Sequence, residues 1–241
     1  MHPILLRCGP VTMSSFFAMA VAAFCVAAFL AARRARQAGL QPGQIRILGA
    51  AALFSMVVGS RLGYVAIHAA YYGKHPGEIL RIDSGGLALF GGLALAFVVI
   101  VLFLRRQDQP VLPTIDRMIP PMVLGQAVIR LGCFLQGCCY GRITTLPWGI
   151  SYPDETVRRH PTQLYEMAAL LGIFAVMMWT ERKGQGRTPP HLLTYGLLYG
   201  TFRLGTDFLR VGPTVFLIAL PLAAVCGLLL LRRWISCTRS S

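Results

Sequence analysis

Arg130 sits near the start of the stretch IRLGCFLQGCCYGR (129 to 142), where glycines recur at 132, 137 and 141 and cysteines at 133, 138 and 139. A guanidinium offers a planar fork of donors, the geometry that holds a pair of phosphate oxygens. Glycines at this spacing let a backbone approach a neighbouring helix or a bound headgroup closely. The same residues would also make a small-residue packing face with an arginine reaching toward the interface, so binding and packing both stay open. A second stretch, YGTFRLGTDFLR (199 to 210), puts Arg203 and Asp207 four residues apart. On a helix they share one face and can pair, either for a site or to neutralise each other during insertion. Arg61 in GSRLGYV and the glycines of GGLALFGGLA (85 to 94), Gly91 and Gly92 among them, carry the same two readings.

The third stretch is RHPTQLYE (159 to 166), a run of polar groups in a chain that is otherwise mostly apolar. His160-Pro161-Thr162 reads as a helix start, with proline in the first turn and Thr162 available as a cap. On that helix Gln163 and Glu166 are three apart and face one way. Tyr165 has the character of an interfacial belt residue, and His160 that of a solvated loop residue or a proton carrier.

The elements that must position these groups are membrane helices. Of the 241 residues 55% are apolar and 13% charged, an unusual balance for a soluble globule. The apolar residues form seven runs, about 12–32, 47–71, 85–104, 111–131, 162–180, 191–209 and 214–234, each near the ~20 residues that cross the hydrocarbon core. The expected fold is all-α and polytopic, seven helices in one bundle forming a single domain over 1–241. The first run has no charged leader or A-x-A cleavage site and reads as a retained span. Arginines 33, 34, 36 and 46, then 105 and 106, then Arg182, Lys183 and Arg187, then 232, 233 and 239 mark alternate ends of the runs. The positive-inside rule then places the C-terminus in the cytoplasm and the N-terminus outside.

The formal charge of +14 is dispersed at span ends, so topology and anionic headgroups account for it and no nucleic-acid partner is expected. Seven cysteines form no disulfide framework. No CxxC pair or second cluster completes a zinc site, so neither a metal nor a cofactor is expected.

Taken together, RLGYV (61 to 65), HPGEIL (75 to 80), GGLALFGGL (85 to 93), GQAVIRLGCF with GCCYGR (125 to 142), HPTQLYE (160 to 166) and YGTFRLGTDFLR resemble the prolipoprotein diacylglyceryl transferase family. The resemblance runs from the second span to the sixth, in family order, and HPTQLYE is its most specific part. It implies a multi-pass enzyme of the bacterial inner membrane. Such an enzyme moves diacylglyceryl from phosphatidylglycerol to the lipobox cysteine of a prolipoprotein signal peptide and releases glycerol phosphate. Arg130 matches the essential arginine of the glycine-rich tract, Gly141 its closing glycine and Arg203 the second functional arginine. Asp207 stands where the family usually has glutamate. Cys133, Gln136 and Cys138 replace the tract's two asparagines and its glutamate, and Phe90 and Phe16 stand at a histidine and a tyrosine of relatives.

For the reaction so implied, Arg130 and Arg203 would hold the phosphate and stabilise its developing charge, and His160 or Glu166 would accept the thiol proton. Arg61, Gly91, Gly92, Cys133, Gln136, Cys138, Gly141, Gln163, Tyr165 and Asp207 are the expected lipid-binding residues. The attacking thiol belongs to the acceptor, so Cys133 and Cys138 are expected to pack rather than react. Two alternatives are a relative that uses another thiol or small acceptor, and a non-catalytic phospholipid-binding or transport protein.

Overall fold

The computed structural model describes residues 4–8, 11–81, 88–152, 156–183, 190–210 and 216–239. Gly85, Gly86 and Arg187, and the expected starts of the third and seventh spans, lie outside the described residues. The fold is helical, with two small antiparallel pairs. Strand β1 (Ile4–Cys8) pairs with β2 (Val11–Ser14), and β3 (Ile150–Ser151) pairs with β4 (Arg158–Arg159). The helices in chain order are α1 (Ser15–Gln37), α2 (Pro42–Ile67), the single turn α3 (Ala69–Tyr72), α4 (Leu89–Arg106), α5 (Val111–Gln136), α6 (Thr162–Lys183), α7 (His191–Thr206) and α8 (Phe216–Arg239).

Each helix begins and ends for local reasons. The Ser14 hydroxyl accepts from the Phe17 N–H at 3.2 Å at the start of α1, and β2 delays that start from the expected residue 12 to residue 15. Proline at the first position opens α2. Basic pairs close α1, α4 and α6, where they meet the carbonyl ends. Buried Pro120 and Pro121 lie inside α5, as membrane helices tolerate where neighbours cover the freed backbone. Helix α7 stops at Thr206, three residues before its expected end, because residues Asp207–Leu209 tighten into a 3₁₀ turn.

Among the described residues five helices, α1, α2, α4, α5 and α6, are long and apolar enough to cross a membrane. Helix α7 has 16 residues, and α8 carries a shorter apolar stretch at Ala219–Leu230. Phe29, Phe54 and Phe97 are exposed, whereas Gln163, Glu166 and Arg61 are buried. Outward apolar rings and inward polar groups are the arrangement expected of a chain whose solvent is lipid.

The chain divides into two compact units, Met1–Ala31 with Asp116–Ser241, and Ala32–Ile115. In the second, α2 and α4 meet through glycine. A side chain on Gly91 would collide with the Gly59 carbonyl, and one on Gly63 would come within 3.0 Å of the Gly91 Cα. Gly59 and Gly63 form the small-xxx-small spacing that brings membrane helices together. In the first unit Gly196 and Gly200 repeat that spacing on α7, against Cys226 and Ala223 of α8.

Candidate functional site

Glu166 lies one turn into α6 and is 1% exposed. Its Oε1 accepts from the Tyr199 hydroxyl at 2.6 Å and lies 2.8 Å from Arg130 Nη2. Its Oε2 accepts from Arg210 Nη1 at 2.7 Å, and Arg203 Nη1 stands 3.7 Å away. Three guanidiniums from α5, α7 and the turn after α7 therefore converge on one carboxylate. Arg203 also reaches Asp207 at 3.9 Å, the i,i+4 pair expected from the sequence. Two carboxylates, Glu166 and Asp207, among three guanidiniums leave one positive charge in excess, which an anion would neutralise. Arg130 Nε is buried and has no hydrogen-bond partner among the described residues, a donor still to be satisfied.

The segment between α5 and α6 holds this cluster in place. Gly141 N–H donates to the His160 carbonyl at 2.8 Å and Arg142 N–H to the Leu209 carbonyl at 2.7 Å, which joins the segment to the turn that carries Arg210. Gly141 is required there: a side chain would strike the Leu209 carbonyl and come within 2.7 Å of Thr162 and 2.8 Å of His160. Gln163, also 1% exposed, donates to the Cys138 carbonyl at 2.6 Å and accepts from the Tyr152 hydroxyl at 3.0 Å. Thr162 does not cap its own helix. Its hydroxyl donates to the Cys139 carbonyl at 3.0 Å, so the first turn of α6 clamps the cysteine turn twice. Tyr165 accepts from Trp148 Nε1 at 2.9 Å and lies 3.3 Å from His160 Nδ1.

The thiols of Cys133, Cys138 and Cys139 lie within 4.8 Å of one another. The Cys139 thiol is pulled down to about 5, chiefly by a hydrogen bond with Cys133 and against desolvation, with the charges of Arg130 and Arg210 helping. The Cys138 thiol is pushed up, chiefly by desolvation.

The family model described as prolipoprotein diacylglyceryl transferase matches residues 3–237. The chain belongs to that family. It is 33% identical over 216 residues to the phosphatidylglycerol–prolipoprotein diacylglyceryl transferase of Nitratidesulfovibrio vulgaris, covering 86% of this chain and 80% of that protein. The protein of the same name from Lactiplantibacillus plantarum is 32% identical over 221 residues, 87% of this chain and 78% of its own length. That from Clostridium tetani is 26% identical over 220 residues, 88% and 87%.

Of the residues expected at the site, the first unit contains Arg130, Cys133, Gln136, Cys138, Gly141, His160, Gln163, Tyr165, Glu166, Arg203 and Asp207. Gln136 has a buried carbonyl oxygen with no partner among the described residues. Arg61, Gly91 and Gly92 belong to the other unit. There Gly91 and Gly92 make the α2–α4 contact, and Arg61 donates to the carbonyls of Ile79 and Glu78, both at 2.7 Å. Tyr199 and Arg210 were missed by sequence reasoning. Tyr199 is four residues before Arg203, so helical spacing alone could have added it; Arg210 lies just past the expected end of the sixth span at residue 209 and was not singled out.

Proposed function

We propose that the protein transfers the diacylglyceryl group of phosphatidylglycerol to the lipobox cysteine of a prolipoprotein, at the external side of the bacterial inner membrane. The observation that carries this reading is the convergence of Arg130, Arg203 and Arg210 on buried Glu166. Membership of the family and the names of the relatives supply the reaction. In it the acceptor sulfur bonds to the glycerol carbon, the bond from that carbon to the phosphate oxygen breaks, and glycerol phosphate leaves with the electron pair.

The arginines bind the headgroup phosphate and stabilise the charge that grows on it, an effect strengthened where water is scarce. Glu166 orients them. Both its oxygens already accept from Tyr199, Arg130 and Arg210, which favours His160, half-buried beside Tyr165, as the acceptor of the thiol proton. Gln163 and Gly141 position the turn between α5 and α6. Helices α7 and α8 complete seven crossings, and the basic ends of α1, α4 and α6 lie in the cytoplasm with the C-terminus.

Purified protein incubated with labelled phosphatidylglycerol and a lipobox peptide should release glycerol phosphate and add one diacylglyceryl group to the peptide in equal amounts. Release that occurs only with a different thiol would move the assignment to another acceptor. No release with any acceptor would favour a lipid-binding protein.

A further inference from the structure

We infer that Cys133, Cys138 and Cys139 form a binding site for a thiophilic d¹⁰ cation, Cu(I) or Zn(II), held by three thiolates. The turn after α5 is built to gather them. Gly137 and Cys139 both take positive φ, 76° and 63°, which folds the chain back over the end of the helix. For cysteine that conformation is costly and persists only where the surroundings enforce it. Enforcement comes from α6: Gln163 holds the Cys138 carbonyl and Thr162 the Cys139 carbonyl. The Cys138 N–H and thiol both turn back to the Cys133 carbonyl, at 3.1 and 3.6 Å.

The three sulfurs lie within 4.8 Å of one another. A metal–sulfur bond of about 2.3 Å puts ligand sulfurs roughly 3.8–4.0 Å apart, so shifts of under about 1 Å close the set. An all-thiolate set selects soft cations over magnesium or calcium. Three thiolates with Cu(I) or Zn(II) carry net negative charge, and Arg130, three residues before Cys133 on α5, is placed to offset it. Cys133 is buried and Cys139 is exposed, so the set has a protected floor and an open approach. Cu(I) would take three ligands here; Zn(II) would add a fourth from outside.

This inference does not depend on the transfer reaction, and its test does not read activity. Full-length protein, purified anaerobically in detergent, is titrated with Cu(I) against bicinchoninate and separately with Zn(II) against a chromophoric chelator. One equivalent per chain of at least one ion is expected, and loading should remove Cys138 and Cys139 from the thiols that react with maleimide under non-denaturing conditions, whereas buried Cys133 is shielded in both states. Mass mapping should place the metal-dependent protection at 138 and 139. Cys138→Ser and Cys139→Ser should each lower affinity by more than the roughly 10–100-fold that loss of an outer-shell partner costs, whereas Cys25→Ser should not. Substoichiometric binding of both ions, no protection, or unchanged affinity in the two serine variants would overturn the site. If those variants fail to fold, the wild-type stoichiometry and protection map decide it alone.

Discussion

Arg61 and Arg130 look alike in the sequence, each an arginine before Leu-Gly within an apolar run, yet the two units use them differently. Arg61 is 6% exposed and directs Nε and Nη2 to main-chain carbonyls, with its guanidinium beside the rings of Tyr64 and Tyr72. It ties the turn after α3 to α2. Arg130 instead meets a carboxylate already approached by two other guanidiniums, and its Nε has no partner among the described residues. The same side chain ties main chain where carbonyls are offered and joins a charge cluster where positive groups outnumber negative ones; on the function proposed above, the second arrangement receives an anion. Neighbours, rather than the burial of the arginine, decide which.

The largest expected effect tests the receptor half of that contrast. Glu166→Gln removes the buried carboxylate that three half-buried guanidiniums share and leaves only Asp207, beside Arg203, as counter-charge, a loss of up to about 3–5 kcal/mol. Folded yield should fall sharply and transfer should cease. Full yield with normal turnover would show that the arginines do not need this carboxylate. Arg130→Lys keeps the charge but loses the fork, and turnover should drop on the order of 10²–10³-fold at unchanged expression. Equal activity would remove phosphate recognition from Arg130. Gln163→Ala deprives both the Cys138 carbonyl and the Tyr152 hydroxyl of a partner. A loss of about 1–3 kcal/mol in thermal unfolding is expected, with activity falling in step. The smallest effect belongs to Arg61→Lys. If Arg61 is a tie, unfolding should come slightly earlier and turnover of the folded protein should change by less than about tenfold, the factor that 1.4 kcal/mol represents. A loss as deep as that of Arg130→Lys, with the fold intact, would end the distinction between the two arginines.

Much of this was legible in the sequence. Apolar runs located the long helices to within a few residues because burying a backbone in lipid requires continuous internal hydrogen bonding, and only long apolar segments satisfy that. Misplaced ends came from contacts that periodicity does not encode: β2 before α1, and the 3₁₀ turn after Thr206. The Arg203–Asp207 pair and the inward face shared by Gln163 and Glu166 followed from spacing along one helix.

Residue types, spacing and the positions of the long apolar helices were therefore determined by the sequence itself, since they depend on neighbours a few residues away. Tertiary structure alone decided the rest. Glu166, singled out as a proton acceptor, became the centre of an arginine cluster because α5, α7 and the turn at 207–209 bring their charges to it from far along the chain. Thr162, expected as a cap, instead clamps a turn 23 residues before it. Cys133 and Cys138, expected to pack, bring their thiols within 4.8 Å of each other and of Cys139 because two positive-φ residues reverse the chain and α6 holds it there. Convergence of this kind depends on where helices meet, and local spacing carries no record of that.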